Sequence, residues 1–219
     1  LVTHYLTTKF KNKYDTIFTF YEYISGNNTV VRVSDSYGFY SYSKAYDSLD
    51  SIISQTFSRD KNAANSKIHF KLEEKYIIFE EAYQYQMRDS VNIITTLNSN
   101  GRPYQIQKKF YNKLGYLENS QTRFLISNKN NKQTYQYNDK GFLKSIKYFK
   151  EENPIPIKEI KYDYDEWGNV TFMDEYKDNE RVVHKELLYD PSTLILKTIL
   201  SQDLVSNLIT ITKFKPEFY

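Results

Sequence analysis

Apolar and polar residues alternate along much of this chain with the two-residue period of a β-strand. Ile160, Tyr162 and Tyr164, for example, alternate with Lys161 and Asp163. Successive side chains of a strand point to opposite faces, so this pattern predicts strands with one half-buried face and one solvated face. The chain therefore reads as a series of strands that need turns between them.

A short turn motif recurs between the predicted strands: Tyr, Asn or Asp, two variable residues, Gly, a variable residue and an apolar residue. The three complete copies begin at Tyr111, Tyr137 and Tyr164, which are 26 and 27 residues apart. The residues predicted to build these turns are Tyr111, Asn112 and Gly115, then Tyr137, Asn138 and Gly141, then Tyr164, Asp165 and Gly168.

The composition of the motif predicts a β-hairpin at each copy. Asn or Asp favours the first position of a type I turn because its side chain accepts hydrogen bonds from nearby backbone N–H groups. Gly then supplies the positive φ angle of a G1 bulge. The tyrosine ends the incoming strand, and the apolar residue begins the outgoing one.

Weaker copies of the motif extend the repeat in both directions. Residues 85–91 and 189–194 keep the tyrosine at the same spacing but lack the glycine, and residues 57–60 are a fainter copy. Turn-forming residues at 151–156 and 177–180 predict the reversals at the opposite ends of the hairpins.

These hairpins predict an all-β protein with a twisted, curved antiparallel meander sheet, which either closes in part or leaves edges that need protection. We assign residues 57–219 to repeat units of about 26 residues and residues 1–56 to an amino-terminal β-rich segment of the same domain. Residues 16–33 predict a hairpin. Residues 43–56 have near-helical spacing and predict the one short helix, with a further damaged turn at Tyr46 as the alternative.

Composition narrows the possible functions. Tyr and Phe are abundant, at 22 and 14 residues, and such aromatic residues suit a half-buried sheet. The net charge is +3 without a basic block, which disfavours nucleic-acid binding. No apolar run approaches the roughly 18 residues of a spanning helix. The chain starts at Leu1, and removal of a signal peptide is one ordinary reason.

The sequence contains no catalytic motif, and we expect a protein that is not an enzyme and has no cofactor. His4, His69 and His184 lack metal-ligand spacing, and there is no cysteine. The acidic residues near Asp165 resemble part of a calcium loop but lack its terminal bidentate Glu. A hydrolase that uses Asp165, Glu166 or Asp174 is the remaining enzymatic alternative.

Aromatic residues are the remaining candidates for binding. Most tyrosines are expected to pack across strands. Trp167 lies inside a predicted turn, where burial is less natural, so Trp167, with Tyr164 and Tyr137, forms our predicted ligand contact. A glycan, a peptide or an envelope component would suit such rings.

The three complete copies resemble the YD repeats of Rhs and teneurin-type proteins and the YD-repeat-like lipoproteins of Bacteroidetes. The resemblance covers residues 85 to about 200. Two differences are the longer spacing and the small number of copies, too few to build a large closed shell. The resemblance implies a bacterial protein of the periplasm, outer membrane surface or secreted fraction, with a lipid anchor in an upstream segment as an option.

Besides the hydrolase, the sequence leaves two possible functions, which belong to different classes. The leading hypothesis is a non-enzymatic, cell-surface or secreted binding or scaffold module. The alternative is a periplasmic or outer-membrane-associated carrier that curls its sheet around an apolar ligand.

Overall fold

The computed structural model describes residues 2–10, 13–24, 28–35, 38–60, 75–151 and 153–215. Within these ranges the chain forms sixteen β-strands and no helix, which confirms the all-β prediction. The strands are β1 (Val2–Phe10), β2 (Lys13–Ile24), β3 (Asn28–Asp35), β4 (Gly38–Tyr46), β5 (Ile52–Asp60), β6 (Lys75–Arg88), β7 (Val91–Asn98), β8 (Pro103–Tyr111), β9 (Leu117–Phe124), β10 (Lys129–Tyr137), β11 (Leu143–Lys150), β12 (Lys158–Tyr164), β13 (Val170–Lys177), β14 (Glu180–Tyr189), β15 (Leu196–Asp203) and β16 (Leu208–Lys213).

The order of the strands in the sheet is their order in the chain, from β1 to β16. The pairs with a defined register, from β1 to β6 and from β9 to β16, are all antiparallel. Short connections between consecutive strands favour this arrangement. The predicted antiparallel meander is confirmed.

The chain divides into two compact units. Unit 1 comprises Leu1–Gln86 and Ile94–Ile106, and unit 2 comprises Met87–Ile93 and Gln107–Tyr219. The boundary that the sequence suggested after residue 56 falls inside β5.

The first predicted hairpin lies in unit 1. Strands β2 and β3 pair from Phe18 opposite Ser34 to Ile24 opposite Asn28, as the pattern of residues 16–33 predicts. Residues 25–27, between these two strands in the sequence, lie outside the described part of the chain.

The helix predicted within residues 43–56 is wrong. Strands β4 and β5 occupy this segment and are joined by a turn at Asp47. The Asp47 carboxylate accepts the N–H groups of Leu49 and Ser51, both at 2.9 Å, and Asp50 takes a φ of 58°. A side chain that accepts local backbone N–H groups stabilises a turn over a helix, so the alternative prediction of a further turn is correct.

The fainter copy predicted at residues 57–60 is also wrong. Phe57 lies within β5, and its ring packs 4.6 Å from that of Tyr42 and 5.7 Å from that of Phe79. Residues 57–60 therefore continue a strand, because the aromatic ring is used in cross-strand packing.

The two copies without glycine differ from each other. Tyr85 lies within β6, and the chain reverses further on, at Asp89 and Ser90, so the predicted turn type is wrong there. After Tyr189 the chain reverses where predicted, with Leu194 at a φ of 56°.

One turn of the same kind has no tyrosine before it and was missed by the sequence pattern. The side-chain oxygen of Asn98 accepts the N–H groups of Asn100 and Arg102, each at 3.0 Å, and Gly101 has a φ of 71°. The Asn-x-x-Gly spacing alone would have identified this turn.

The reversals at the opposite ends of the hairpins fall where the sequence predicts them. Asp178 and Asn179 join β13 to β14 with φ values of 50° and 65°, as a type I′ hairpin turn requires. Strand β11 ends at Lys150, and β12 begins at Lys158.

Within residues 40–59, 76–151 and 153–215, whose side-chain burial is described, the fully buried side chains are small and carry a hydroxyl group. Larger side chains on neighbouring strands remain half-buried: Tyr135 lies opposite Ile146, and Ile146 lies opposite Ile160. A sheet with half-buried faces can fully cover only its smallest residues. The buried residues are Ser41, Ser58, Thr96, Ser120 and Ser145.

Candidate functional site

The predicted contact residues lie along three successive turns of unit 2, which we call the turn row and which begin at Asn112, Asn138 and Asp165. Tyr137 and Tyr164 end the strands that enter the second and third turns. Trp167 lies within the third turn.

The three turns have the same internal hydrogen bonds. In the second turn the side-chain oxygen of Asn138 accepts the N–H groups of Lys140 at 3.0 Å and Phe142 at 2.9 Å, and the Asn138 carbonyl accepts the N–H of Gly141 at 2.9 Å. The first and third turns repeat this set. Asn and Asp are interchangeable at the first position because either supplies the accepting oxygen.

The repeat tyrosines connect consecutive hairpins. Tyr164 donates its hydroxyl hydrogen to the carbonyl oxygen of Leu143 at 2.7 Å, and Leu143 is the first residue of the strand that follows the preceding turn. Equivalent bonds run from Tyr137 to Leu117 at 3.0 Å and from Tyr189 to Val170 at 2.9 Å. These hydroxyl groups are therefore engaged within the protein.

Tyr85 makes the same bond within unit 1, although its own turn differs. Its hydroxyl group donates to the carbonyl of Ile52, the first residue of β5, at 2.7 Å. The tyrosine spacing detected in the sequence thus reflects this inter-repeat hydrogen bond, and the type of turn that follows is a separate feature.

Aromatic stacking adds a second connection between copies in the turn row. The ring of Tyr116 stacks on that of Tyr137 with centroids 4.8 Å apart, and Phe142 stacks on Tyr164 at 5.0 Å. Tyr116 and Phe142 each follow the glycine of their own turn. Such pairs stabilise a structure by about 0.5–1.5 kcal/mol beyond the area they bury.

The stacked rings give the second and third turns a further reason to have glycine, in addition to the positive φ. A Cβ atom on Gly168 would lie 2.8 Å from Cζ of Phe142, and one on Gly141 would collide with the hydroxyl of Tyr116. Gly115 has a similar φ, but a Cβ there would meet nothing within 4 Å. The glycine of one copy is thus matched to the ring of the copy before it.

The aromatic ring and the glycine of this match are both replaced after the third turn begins. Asn169 stands where Tyr116 and Phe142 stand in the earlier turns, and its side-chain amide donates to Asp165 at 3.0 Å. In the next turn Leu194, with a φ of 56°, takes the place of the glycine. This turn is one residue longer than the earlier three, because Leu194 comes four positions after Asp190 whereas each glycine comes three positions after its Asn or Asp.

The carboxylate of the third turn and the repeat tyrosines keep their ordinary protonation states near neutral pH. Hydrogen bonds lower the pKa of Asp165, with the side chain of Asn169 the largest cause. Burial raises the pKa of Tyr164, and it raises that of Tyr189 together with the charge of Asp165. The carboxylate remains charged and the phenols remain neutral.

Trp167 is the predicted contact residue whose side chain is most available. Its indole side chain is 57% exposed, and its backbone N–H donates to Asp165 at 3.0 Å. Leu114 and Lys140 occupy the same position in the other two turns. A depression of about 250 Å³ lies between the second and third turns. Its lining residues are Asn138, Lys140, Phe142, Lys144, Tyr162, Asp163, Tyr164 and Asp165.

Of the acidic residues proposed for hydrolysis, Asp165 and Glu166 are consecutive residues of the third turn, and Asp174 lies far from that turn. Asp165 lies in a turn beside Asn169, whereas Asp174 lies five residues further along β13, which corresponds to about 16 Å of strand. Glycosidase carboxylates are about 5–9.5 Å apart. Asp174 instead contacts Nδ1 of His184 at 2.6 Å and Arg181 at 3.4 Å.

A second polar cluster, which the sequence did not reveal, lies in unit 1. Glu81 accepts hydrogen bonds from Gln55 at 2.8 Å, from Tyr83 at 2.6 Å and from Tyr104. Burial alone would raise the pKa of Glu81, but the three hydrogen bonds outweigh it and lower the pKa. Burial and the bond to Glu81 raise the pKa of Tyr104 to about 12. This carboxylate holds three strands together, and its partners depend on a register that the sequence pattern does not specify.

Among the described residues, no group of three or more His, Asp or Glu side chains is placed to hold a metal ion. The same part of the chain contains no helix with the length and apolar character needed to cross a membrane.

Comparison with known proteins supports the fold. No family model matches this chain, and no curated protein does. A porin-like protein from Bacteroides uniformis has a similar structure, with a TM-score of 0.55 and 11% identity over 92% of this chain and 83% of that one. At this identity the similarity concerns the fold alone.

Two toxin structures are also similar, at a lower score. They are the Photorhabdus luminescens Tc holotoxin pore and the crystal structure of TcdB2-TccC3-Cdc42, each with a TM-score of 0.41 and 12% identity. Each match covers 91% of this chain but only 11% of the toxin chain, and a score of this size does not bear on the fold. Membership of the YD-repeat family stays a prediction.

The match between ring and glycine predicts unequal effects of the same substitution. Gly115→Ala should lose about 1–2 kcal/mol of unfolding free energy because alanine disfavours the positive φ. Gly168→Ala should lose about 1–3 kcal/mol more because its methyl group also meets Phe142. Urea unfolding of both variants measures the difference, and equal losses would contradict the match.

The inter-repeat hydrogen bond predicts a loss of stability in Tyr164→Phe. This variant keeps the stacked ring but removes the bond to the Leu143 carbonyl, and it should lose about 1 kcal/mol of unfolding free energy. Tyr116→Phe is the matched control, because no hydrogen bond of the Tyr116 hydroxyl occurs among the described residues. If both variants unfold at the same urea concentration, the bond does not stabilise the fold.

Proposed function

We propose that this chain is a non-catalytic β-repeat scaffold and binding module that acts outside the bacterial cytoplasm, in the periplasm, at the outer membrane surface or after secretion. The proposal includes attachment through a lipid on an upstream segment. The ligand is a glycan, a peptide or another component of the cell envelope.

The use of the repeat residues within the protein is the observation that carries this proposal. The polar groups of each turn bind its own backbone, and the tyrosine hydroxyl groups bind the neighbouring copy. An active site needs polar groups that are free to act on a substrate. These groups instead build a regular support.

The positions of the acidic residues also support a role without catalysis. Asp165 and Asp174 are separated by more than the distance that a pair of glycosidase carboxylates requires. Asp174 forms a cross-strand group with His184 and Arg181, which is a common way to stabilise adjacent strands.

A location outside the cytoplasm is supported by two independent similarities. The turn motif resembles the YD repeats of bacterial extracytoplasmic proteins, and the fold resembles that of a porin-like protein from Bacteroides uniformis. The absence of cysteine from the sequence is compatible with such a location.

Trp167 provides the contact surface in this proposal. An exposed indole ring can stack on the flat face of a sugar or on an aromatic peptide side chain. The depression between the second and third turns, which is lined by Asp165 of the same turn as Trp167, carries charged and amide groups that can bind polar substituents of such a ligand, among them Asn138, Lys140 and Asp163.

Binding at Trp167 predicts a change in its fluorescence. Trp167 is the one tryptophan of the sequence, so its emission should shift when a matching ligand is found in a panel of envelope glycans and peptides. Trp167→Leu places the residue of the first turn at this position and should weaken binding by about 2- to 10-fold in calorimetry. Leu114→Ala is the control and should bind normally. Unchanged emission across the panel, or normal binding by Trp167→Leu, would remove Trp167 from the site.

The proposed location predicts access by an external protease. We expect the epitope-tagged product of the complete gene to be degraded when proteinase K is added to native host cells, either intact or after release of the periplasm. A cytoplasmic marker protein should survive the same treatment. Protection of the tagged chain together with that marker would place it in the cytoplasm and refute this part of the proposal.

A further inference from the structure

Two turns of unit 2, at the ends of the strands away from the turn row, have nearly the same sequence. Residues 125–128 join β9 to β10 and read Leu-Ile-Ser-Asn, and residues 204–207 join β15 to β16 and read Leu-Val-Ser-Asn. The last residue of each turn has a positive φ, 52° at Asn128 and 55° at Asn207. This edge of unit 2 therefore has a repeated turn of its own.

The second residue of each repeated turn exposes an aliphatic side chain. Ile126 is 88% exposed and Val205 is 76% exposed, whereas the leucine before each of them is half-buried. The connection between β11 and β12, at the same ends of the strands, exposes Ile155 at 64%. Single exposed apolar residues are common on protein surfaces, but here the exposure recurs at the same position of a repeated turn. We call Ile126, Ile155 and Val205 the tip row.

The tip row consists of separate projections along one edge of the sheet. Neighbouring strands lie about 4.8 Å apart, so connections on the same edge follow one another about every 10 Å. Ile126 and Ile155 lie in successive connections, and Val205 lies two connections further on, after the tight turn at Asp178 and Asn179. The row therefore extends over roughly 30 Å, and this spacing holds the aliphatic side chains apart.

The area of the tip row favours a lipid surface over a protein partner. Each aliphatic side chain can bury roughly 60–120 Å², so the three together offer about 200–350 Å². A stable protein interface needs about 800 Å² from each partner. A bilayer needs no matching surface, because its fluid interior accepts separate apolar side chains at any spacing.

The charges around the tip row nearly cancel. The connecting segments, residues 123–129, 150–158, 177–181 and 203–208, contain six basic and five acidic residues. Attraction to an anionic membrane surface depends on a cluster of Lys and Arg, which these segments lack. Association with lipid would therefore depend on the aliphatic side chains and require no anionic headgroup.

We propose that the tip row inserts into the surface of a phospholipid membrane, with Ile126, Ile155 and Val205 below the headgroups. Trp167, at the other ends of the strands, then lies away from the bilayer. This contact goes beyond the proposed function, because it uses the opposite edge of unit 2 and requires neither the ligand of Trp167 nor a lipid on an upstream segment. Three small side chains give weak, reversible association.

Partition between water and vesicles tests the insertion. The full chain should float with vesicles of pure phosphatidylcholine, and its partition coefficient should change by less than about twofold between about 0.05 M and 0.5 M salt. Ile126→Ser and Val205→Ser should each lower the partition coefficient by about three- to tenfold, and the double variant should stay in solution. Leu114→Ser is the matched control: Leu114 is 81% exposed in the turn row, and its loss should leave binding unchanged.

A tryptophan placed in the tip row reports insertion directly. In a Trp167→Leu background, the emission of Ile126→Trp should shift to shorter wavelength when phosphatidylcholine vesicles are added, because the indole enters the membrane interface. Leu114→Trp in the same background should keep its emission. Trp167 of the parent chain should also be unaffected by the vesicles.

Several outcomes would overturn the proposal. Circular dichroism and urea unfolding show whether each variant keeps the fold. A parent chain that stays in solution, an equal loss in Leu114→Ser, or an unchanged emission of Ile126→Trp would each refute insertion of the tip row. Binding that needs anionic lipid and is lost at high salt would refute it in favour of charged residues. Self-association that the double Ser variant abolishes, without vesicle binding, would refute it in favour of a contact between copies.

Discussion

The fold depends on one local interaction, in which a side-chain oxygen of Asn or Asp accepts two backbone N–H groups of its own turn. Asn138 binds the N–H groups of the residues two and four positions later, and Asp47 and Asn98 do the same in unit 1. Each bond satisfies a backbone donor that no strand partner reaches at the hairpin end. The reversal of the chain is thereby encoded within five residues, and long strands can follow one another without long connections.

The second layer of organisation joins neighbouring hairpins through aromatic residues. A tyrosine hydroxyl group binds the first carbonyl of the preceding outgoing strand, and its ring stacks on the residue after the preceding glycine. These contacts join residues about 20 positions apart, so each copy stabilises the next, as in other repeat proteins. The same contacts occupy the phenol groups that would otherwise be available to a ligand. The exposed indole of Trp167 remains the principal aromatic surface of the turn row.

Much of the architecture follows from the sequence because turn chemistry and strand alternation are local. The three complete turns and the antiparallel meander could be read from Tyr, Asn or Asp, and Gly. Errors arose where a local pattern has two outcomes. The apolar spacing of residues 43–56 suits a helix, but the Asp47 side chain favours a turn, and Phe57 belongs to a strand because its ring packs on Tyr42. The Glu81 cluster was missed because its partners come from three strands, whose register no short pattern specifies.

The match between a ring and the next glycine restricts how such a chain can gain or lose copies during evolution. Phe142 and Gly168 belong to different copies but share one contact, and Asn169 and Leu194 form the alternative combination. After a tandem duplication, the residues that meet at the new junction must form one of these two combinations. Either an aromatic ring meets the glycine of the next turn, or a small polar residue is followed by a turn with a larger residue. Recombination that joins Phe142 to a turn of the same length with a side chain in place of Gly168 would place two side chains in one space. We therefore expect neighbouring copies of this repeat to be inherited together rather than exchanged one at a time.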